Sequence, residues 1–267
     1  MKILVADSVP DPVIVNLPKT KGNVAEEIRD ADALLVRSAT KVTAELLESA
    51  KRLVVIGRAG VGVDNVDLDA ATRKGVLVMN TPGGNAISVA EHTMTLLLAM
   101  AHPVAQADAS MKDGKWEKKK FTGSELRDKT LGLIGLGTIG TEVARLAQAL
   151  NMTVVAFDPY VSPVLALERN IQMLPLEDVL RTSDFISLHC SLTSETTHLI
   201  NAKNLALAKK GVRIVNCARG ELVDEAALLA ALESGQVAGA GLDVFEAEPP
   251  ADPRLVKHPN VIATPHI

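Results

Sequence analysis

The chain has 267 residues, 47% apolar and 22% charged, which is ample for sizeable cores, points to two domains and excludes a single small module. Aromatic residues make up only 2%, so the cores must be built from Ala, Val, Leu and Ile, as in layered α/β sheets. A net charge of −4 argues against a general nucleic-acid binder, and Cys190 and Cys217 are too few for a disulfide framework.

These two cysteines suit a reducing cytosol. Met1 leads straight into KILVA with no basic n-region and long apolar core, so no signal peptide is expected. The longest apolar run of its neighbourhood, Leu96 to Ala101, is far too short to span a bilayer.

In chain order, strands are expected at Ile3 to Ala6, Ala33 to Val36, Leu53 to Ile56 and Val76 to Met79. Thr43 can cap a helix running to Ala50, and a second helix from Val66 to Lys74 would stop at Gly75. Residues 8 to 23 carry Pro10, Pro12 and Pro18, which forbid a long first helix, so that segment is read as irregular. Pro82, Gly83 and Gly84 then break the pattern, placing a small α/β unit at 1–82 and a second domain at 83–267. Ser88 is expected to cap a long helix, and Val89 to Met100 is apolar around its circumference, as for a buried element. His92 and His102 read as packing or surface residues. Lys112 to Phe121, KDGKWEKKKF, reads as a solvated basic loop; contact with an anionic substrate across a dimer interface ranks above nucleic acid.

The second domain is organised around TLGLIGLGTIGTEVARLAQALNMTVVAFD, Thr130 to Asp158. Leu131, Leu133 and Ile134 form a strand apolar on both faces. Gly135, Gly137 and Gly140 follow at G-x-G-x-x-G spacing. The first permits a turn, the second lets backbone approach a pyrophosphate, and the third lets helix pack on strand. Ile139, Val143, Leu146, Ala147 and Leu150 recur at helical spacing, and the amide end of that helix would face phosphates. TVVAF is the second strand, ending at Asp158, the carboxylate expected on ribose hydroxyls. An isolated glycine cluster would say little; strand, turn, helix, strand and acid together make a dinucleotide fingerprint.

Strands are expected again at Phe185 to His189, Arg213 to Asn216, Gly239 to Asp243 and Val261 to Ala263, with helices at Leu176 to Thr182 and Glu221 to Ser234 between some of them. The alternation predicts a doubly wound parallel (Rossmann) sheet with function at the carboxyl ends of its strands. Arg219, Glu248 and His266 each stand just beyond such a strand. Singly, each is an ordinary surface residue. Beside a nucleotide fold they form a set: a cation to clamp a carboxylate, and a histidine to pass a proton with a carboxylate to orient it. No metal-ligand set is read.

Taken together, LVRSATKVTAE, VIGRAGVGVDNVDLDAATRKGVLVMNTPGGN, ASMKDGKWEKKKF, GLIGLGTIG, FDP, KKGVRIVNCARGELVDE, AGAGLDVFEAEPP and TPHI give a chain that resembles the D-isomer-specific 2-hydroxy acid dehydrogenases from Leu35 onward. The first three of these segments favour the branch that acts on 3-phosphoglycerate over relatives acting on glyoxylate, lactate or formate. The resemblance implies a Rossmann domain with a smaller flavodoxin-like substrate domain, NAD as cofactor and a homodimer or higher oligomer. It implies oxidation of 3-phosphoglycerate to 3-phosphohydroxypyruvate, the first step of serine biosynthesis. By position it makes His266 the acid/base, Glu248 its partner and Arg219 the substrate-orienting cation. The implied cofactor set is Gly135, Gly137, Thr138, Ile139, Gly140, Asp158, Pro159, His189, Cys190, Cys217, Ala218, Arg219 and Asp243. The implied substrate set is Arg37, Arg58, the Gly60-Val61-Gly62 backbone as an anion nest, and Asn85, with Arg37 meeting the phosphate.

The sequence departs from the family's pattern in three places. The segment before Leu35 is short and proline-broken, Thr138 stands where arginine is frequent, and the chain stops at Ile267, directly after His266. On that pattern the return helix and the regulatory region are missing, so poor closure and no serine feedback are expected. Three alternatives stay open: an NAD-binding corepressor, an NAD-binding fragment without turnover, and a glyoxylate or hydroxypyruvate reductase.

Overall fold

The structure, a computed structural model, describes residues 1–7 and 23–267; the irregular segment expected at 8 to 23 lies, apart from Asn23, outside the described residues. The chain divides into two compact units, Met1–Asn85 and Ala86–Ile267.

The first unit is a parallel sheet of β1 (Ile3–Val5), β2 (Ala33–Val36), β3 (Val55–Arg58) and β4 (Leu77–Met79), in that order among the described residues. Its core gathers Leu4, Ile28, Leu34, Val36, Leu47 and Ile56. Thr43 caps α2 (Ala44–Ser49), its hydroxyl accepting from the Leu46 amide at 3.3 Å. Asp67 caps α3 (Leu68–Lys74), accepting from Ala70 at 2.8 Å. Gly75 ends that helix at φ +70°, a left-handed turn that a Cβ would strain. The expected helix therefore begins two residues late, because the cap is Asp67 and not a residue before Val66. Strand β3 lies two residues beyond its expected place: pairing of Val55 with Ala33 and of Arg58 with Val36 carries it out to Arg58. The short helix α1 (Val24–Glu27), capped by Asn23, is absent from the sequence reading; no residue in it is buried, so no apolar period announces it.

The second unit is a seven-stranded parallel sheet in the order β11-β10-β9-β8-β5-β6-β7. The strands are β5 (Thr130–Ile134), β6 (Thr153–Phe157), β7 (Gln172–Met173), β8 (Phe185–Leu188), β9 (Val212–Asn216), β10 (Val237–Leu242) and β11 (Val261–Ala263). The helices are α4 (Ala86–Ala101), α5 (Val104–Lys112), α6 (Thr138–Ala149), α7 (Pro163–Leu167), α8 (Leu176–Thr182), α9 (Ala202–Leu207), α10 (Glu225–Glu233) and α11 (Pro253–Lys257). One core joins Leu97, Val143, Ala147, Leu131, Leu133, Phe185 and Val215; the other joins Ile134, Val179, Ile186, Leu205, Ile214, Leu228 and Leu242. Alternate residues of one strand enter opposite cores, which is why these strands read as unbroken apolar runs. The sheet is thus doubly wound. The chain leaves β5 toward β6 and β7, then returns to lay β8 on the other side of β5, so the switch point lies between β5 and β8.

Further expectations need correction. Helix α4 starts at Ala86, so Ser88 lies inside its first turn and does not cap it. That helix is also not buried all round, since Ile87 is 64% exposed while Ala90, Thr93, Met94 and Leu97 are buried. Finally, residues 221–234 are not one helix: a 3₁₀ turn covers Gly220–Leu222, and α10 begins only after Asp224, whose carboxylate accepts from Ala227. Of the face expected on α6, Ile139, Val143, Leu146 and Ala147 meet the core, while Leu150 lies past the helix end.

Candidate active site

At the switch point the three glycines have three different surroundings. Gly135 turns at φ +95°, and a Cβ there would lie 2.5 Å from the Cys190 amide nitrogen and 2.6 Å from the His189 carbonyl carbon, so the turn presses on the loop after β8. A Cβ on Gly140 would strike the Gly135 carbonyl, which keeps helix α6 close against its strand. A Cβ on Gly137 would meet nothing within 4 Å: it faces open space at the start of α6, with no side chain capping the helix. A bare backbone at an uncapped helix N-terminus suits a pyrophosphate. Asp158 closes the turn from β6, its Oδ2 accepting from the Leu136 amide and its Oδ1 from Tyr160, each at 2.8 Å. Both bonds fix its position.

His189 and Cys190 leave β8 beside this turn. The His189 Nε2 lies 2.9 Å from the Ser187 hydroxyl, and burial pushes the ring's pKa down to about 4, so it is neutral. Burial pushes the Cys190 thiol up to about 11 and the Cys217 thiol up to about 12. Both sulfurs are therefore thiols at neutral pH, apolar lining and not nucleophiles.

Arg219, Glu248 and His266 stand beyond the adjacent strands β9, β10 and β11. Asn216, buried at the end of β9, holds the loop that carries Arg219: its side chain accepts from the Ala218 amide at 3.0 Å and donates to the Arg219 carbonyl at 2.8 Å. The Arg219 guanidinium donates to the Ala218 carbonyl at 2.6 Å. A Cβ on Gly220 would run into the Phe245 backbone, so this glycine lets the Arg219 loop seat against the loop leading to Glu248. Glu248 Oε1 accepts from the Phe245 amide at 3.3 Å, and Oε2 lies 2.8 Å from His266 Nδ1. Because a carboxylate only accepts, Nδ1 carries the proton and Nε2 is left as the basic nitrogen. His266 sits at φ +55°, an uncommon conformation for a residue with a Cβ. Asp243 lies beneath, 4% exposed, and accepts from the Thr264 hydroxyl at 2.6 Å and the Ile267 amide at 3.1 Å.

In the first unit Arg37 and Arg58 stand at the carboxyl ends of β2 and β3. Asp7 fixes the loop after β2, accepting from the Arg37 amide at 2.6 Å and the Thr40 hydroxyl at 2.5 Å, while the Asn65 amide group donates to the carbonyls of Arg37 and Thr40. A Cβ on Gly60 would displace the Arg58 guanidinium, the movable end of that side chain. The Gly60 amide donates to the Arg58 carbonyl at 2.9 Å, so of the three amides expected in the nest this one is already engaged. Asn85, the last residue of the unit, is exposed. Thr138 and Pro159 are solvent-facing at the cofactor turn, and Ile139 is partly buried against the core.

Asp7, Asn65, Gly220 and Thr264 carry no signal in the sequence, and in the structure they hold candidate site residues or their loops in place. His92, expected in packing or at the surface, places its Nε2 3.0 Å from the Thr264 hydroxyl.

Residues 94–267 match the family model described as the D-isomer specific 2-hydroxyacid dehydrogenase NAD binding domain. The chain is 54% identical over its whole length to D-3-phosphoglycerate dehydrogenase of Rattus norvegicus, covering 52% of that protein. It is 51% identical over 93% of its length to the enzyme of the same name from Bacillus subtilis, covering 47% of it. The chain thus spans about half the length of these curated relatives. Among solved structures, D-lactate dehydrogenase of Aquifex aeolicus, complexed with NAD and lactic acid, superposes with a TM-score of 0.89 at 32% identity, covering all of this chain and 88% of that one. The chain belongs to the D-isomer specific 2-hydroxyacid dehydrogenase family, with an NAD-binding domain in its second unit.

Proposed function

We propose that the protein oxidises 3-phosphoglycerate to 3-phosphohydroxypyruvate with NAD, the first step of serine biosynthesis. The observation that carries the reading is the His266–Glu248 pair at 2.8 Å, on strand ends of an NAD-binding domain, in a chain about half identical to enzymes named for this substrate. Bound NAD would supply the hydride acceptor. His266 Nε2 takes the proton from the hydroxyl oxygen as the hydride leaves the carbon that bears it, and Glu248 stabilises the imidazolium that results. Arg219 pairs with the substrate carboxylate and polarises the forming carbonyl. Asp158, already held by two amides, accepts from the ribose hydroxyls; it would repel a 2′-phosphate, which favours NAD over NADP. Gly135, Gly137, Thr138, Ile139, Gly140 and Pro159 frame the cofactor turn, and His189, Cys190, Cys217, Ala218 and Asp243 line the nicotinamide side.

In the same proposal the first unit is the substrate domain. Arg37 meets the phosphate; Arg58, Asn85 and the Val61 and Gly62 amides meet the remaining oxygens, with Gly60 giving the turn its room. A homodimer fits the exposed Ile87, Leu98, Val104, Met111 and Trp116, all within one stretch of chain. Two protonated thiols fit a reducing cytosol. Among the described residues no helix is long and apolar enough to cross a membrane.

The test is NADH formation from NAD with 3-phosphoglycerate, D-glycerate and D-lactate side by side. A rate that needs the phosphate is expected. Equal rates on the three acids would overturn the substrate, and NADH formation from none of them would overturn the reading.

A further inference from the structure

The sequence offers His92 as a packing or surface residue, and nothing in the proposed chemistry uses it. Its ring nevertheless projects from α4, a helix bedded in the core through Ala90, Met94 and Leu97, toward the segment that carries His266. We propose that His92 is a positioning residue, locking the Thr264–Ile267 segment to the core through Thr264 and Asp243; its link to catalysis rests on the reading of His266 as acid/base.

The hydrogen inventory settles the direction of the chain. Thr264 Oγ1 has one hydrogen and lies 2.6 Å from Asp243 Oδ1, which as a carboxylate oxygen can only accept. The hydroxyl must then meet His92 as an acceptor, so the ring nitrogen 3.0 Å away, Nε2, bears a hydrogen. His92 Nε2 is also 3.4 Å from Asp243 Oδ1, with the side chains 17% and 5% exposed. Asp243 Oδ1 accepts from the Ile267 amide as well, and the Thr264 amide donates to the Leu242 carbonyl. His266 is thereby tied on both sides, two residues before and one after, while it holds a left-handed φ. The Glu248 pair fixes the ring; this network fixes the backbone beneath it.

Losing a network of this kind should loosen His266 without touching cofactor or substrate. The experiment compares the whole chain, uniformly labelled with ¹⁵N-histidine, with His92→Leu, His92→Gln and Thr264→Val. The wild-type His92 ring should show the Nε2–H tautomer. In His92→Leu the His266 ring signals should broaden or split, and kcat should fall about tenfold, the size of one or two net hydrogen bonds. The KM for NAD should stay within about twofold in the same variant. His92→Gln, whose amide N–H can reach Thr264, should restore both readouts, and Thr264→Val should repeat the loss. A sharp, unmoved His266 signal in folded His92→Leu and Thr264→Val would overturn the inference, as would a loss that glutamine fails to restore. If the wild type forms no NADH, the reading of His266 as acid/base falls, and the ring signals alone decide whether His92 holds the segment.

Discussion

At the end of β5 the cofactor turn is shaped by side chains that are missing: Gly135 and Gly140 bring backbone against backbone, and Gly137 leaves open space. At the ends of β9, β10 and β11 the reverse holds. There Asn216 seats the Arg219 loop, Glu248 pairs with the His266 ring, and His92, Thr264 and Asp243 form a polar network beside it. On the proposed reading, the contrast follows from what each region would hold. A pyrophosphate spreads its charge over many oxygens and suits a row of amides, whereas a proton moves between two atoms and requires one nitrogen fixed in place.

If the two regions divide the labour, they can be damaged separately. His266→Ala should lower kcat by roughly 10² to 10⁴, the span of general acid/base catalysis, with NADH affinity kept within about threefold. Gly137→Val should do the opposite, costing on the order of a hundredfold in NADH affinity while thermal stability barely moves, because its side chain would enter open space. Rate and binding are read by stopped flow and fluorescence titration. Parallel losses in both variants would erase the distinction.

The network should also be sensitive to packing at one glycine. Gly220→Ala forces a methyl into the Phe245 backbone, and the overpacking should cost about 1 to 3 kcal/mol in urea unfolding as it separates the Arg219 and Glu248 loops. Stability and rate should fall together here, unlike at Gly137. A variant of wild-type stability would mean the two loops can part freely.

Between the regions sits His189, whose pKa burial depresses from the ordinary 6.5 to about 4. A depressed folded pKa means the unfolded chain takes the proton first, so the stabilisation is whole above about pH 6.5 and drains away as pH falls toward 4. The loss should be on the order of 1 to 3 kcal/mol, measured as unfolding free energy across that window. His189→Gln should flatten its share of the slope. An identical slope in both proteins would show the ring to be solvated.

The smallest effect is expected in the first unit. Arg37→Ala should weaken 3-phosphoglycerate about tenfold or more while leaving an unphosphorylated 2-hydroxy acid nearly unchanged, since only the phosphate needs a second cation. Steady-state KM values for the two substrates give the comparison. Equal losses would take Arg37 off the phosphate.

How much of this could be read from the sequence follows the same division. Glycine spacing is local, so the turn, the following helix and Asp158 stand within one 29-residue stretch and announce themselves by period and position. The strand-end trio was legible as residue types after apolar runs. Its supports were not: His92 and Thr264 are 172 residues apart and meet only when α4 packs beneath β10 and β11. Short elements with little burial, such as α1 and the two-residue β7, carry too few apolar positions for a period to show. Ser88 misled because a serine before an apolar run resembles a cap, whereas the helix had already begun at Ala86.

The most direct test of the account follows the hydride itself. The chain is mixed with NAD and 3-phosphoglycerate bearing deuterium on the hydroxyl-bearing carbon, and the reduced cofactor is examined by mass spectrometry. The account predicts one deuterium in the nicotinamide ring of each NADH formed, with the label lost from the acid. NADH without deuterium, or deuterium released to water, would contradict direct transfer at this site.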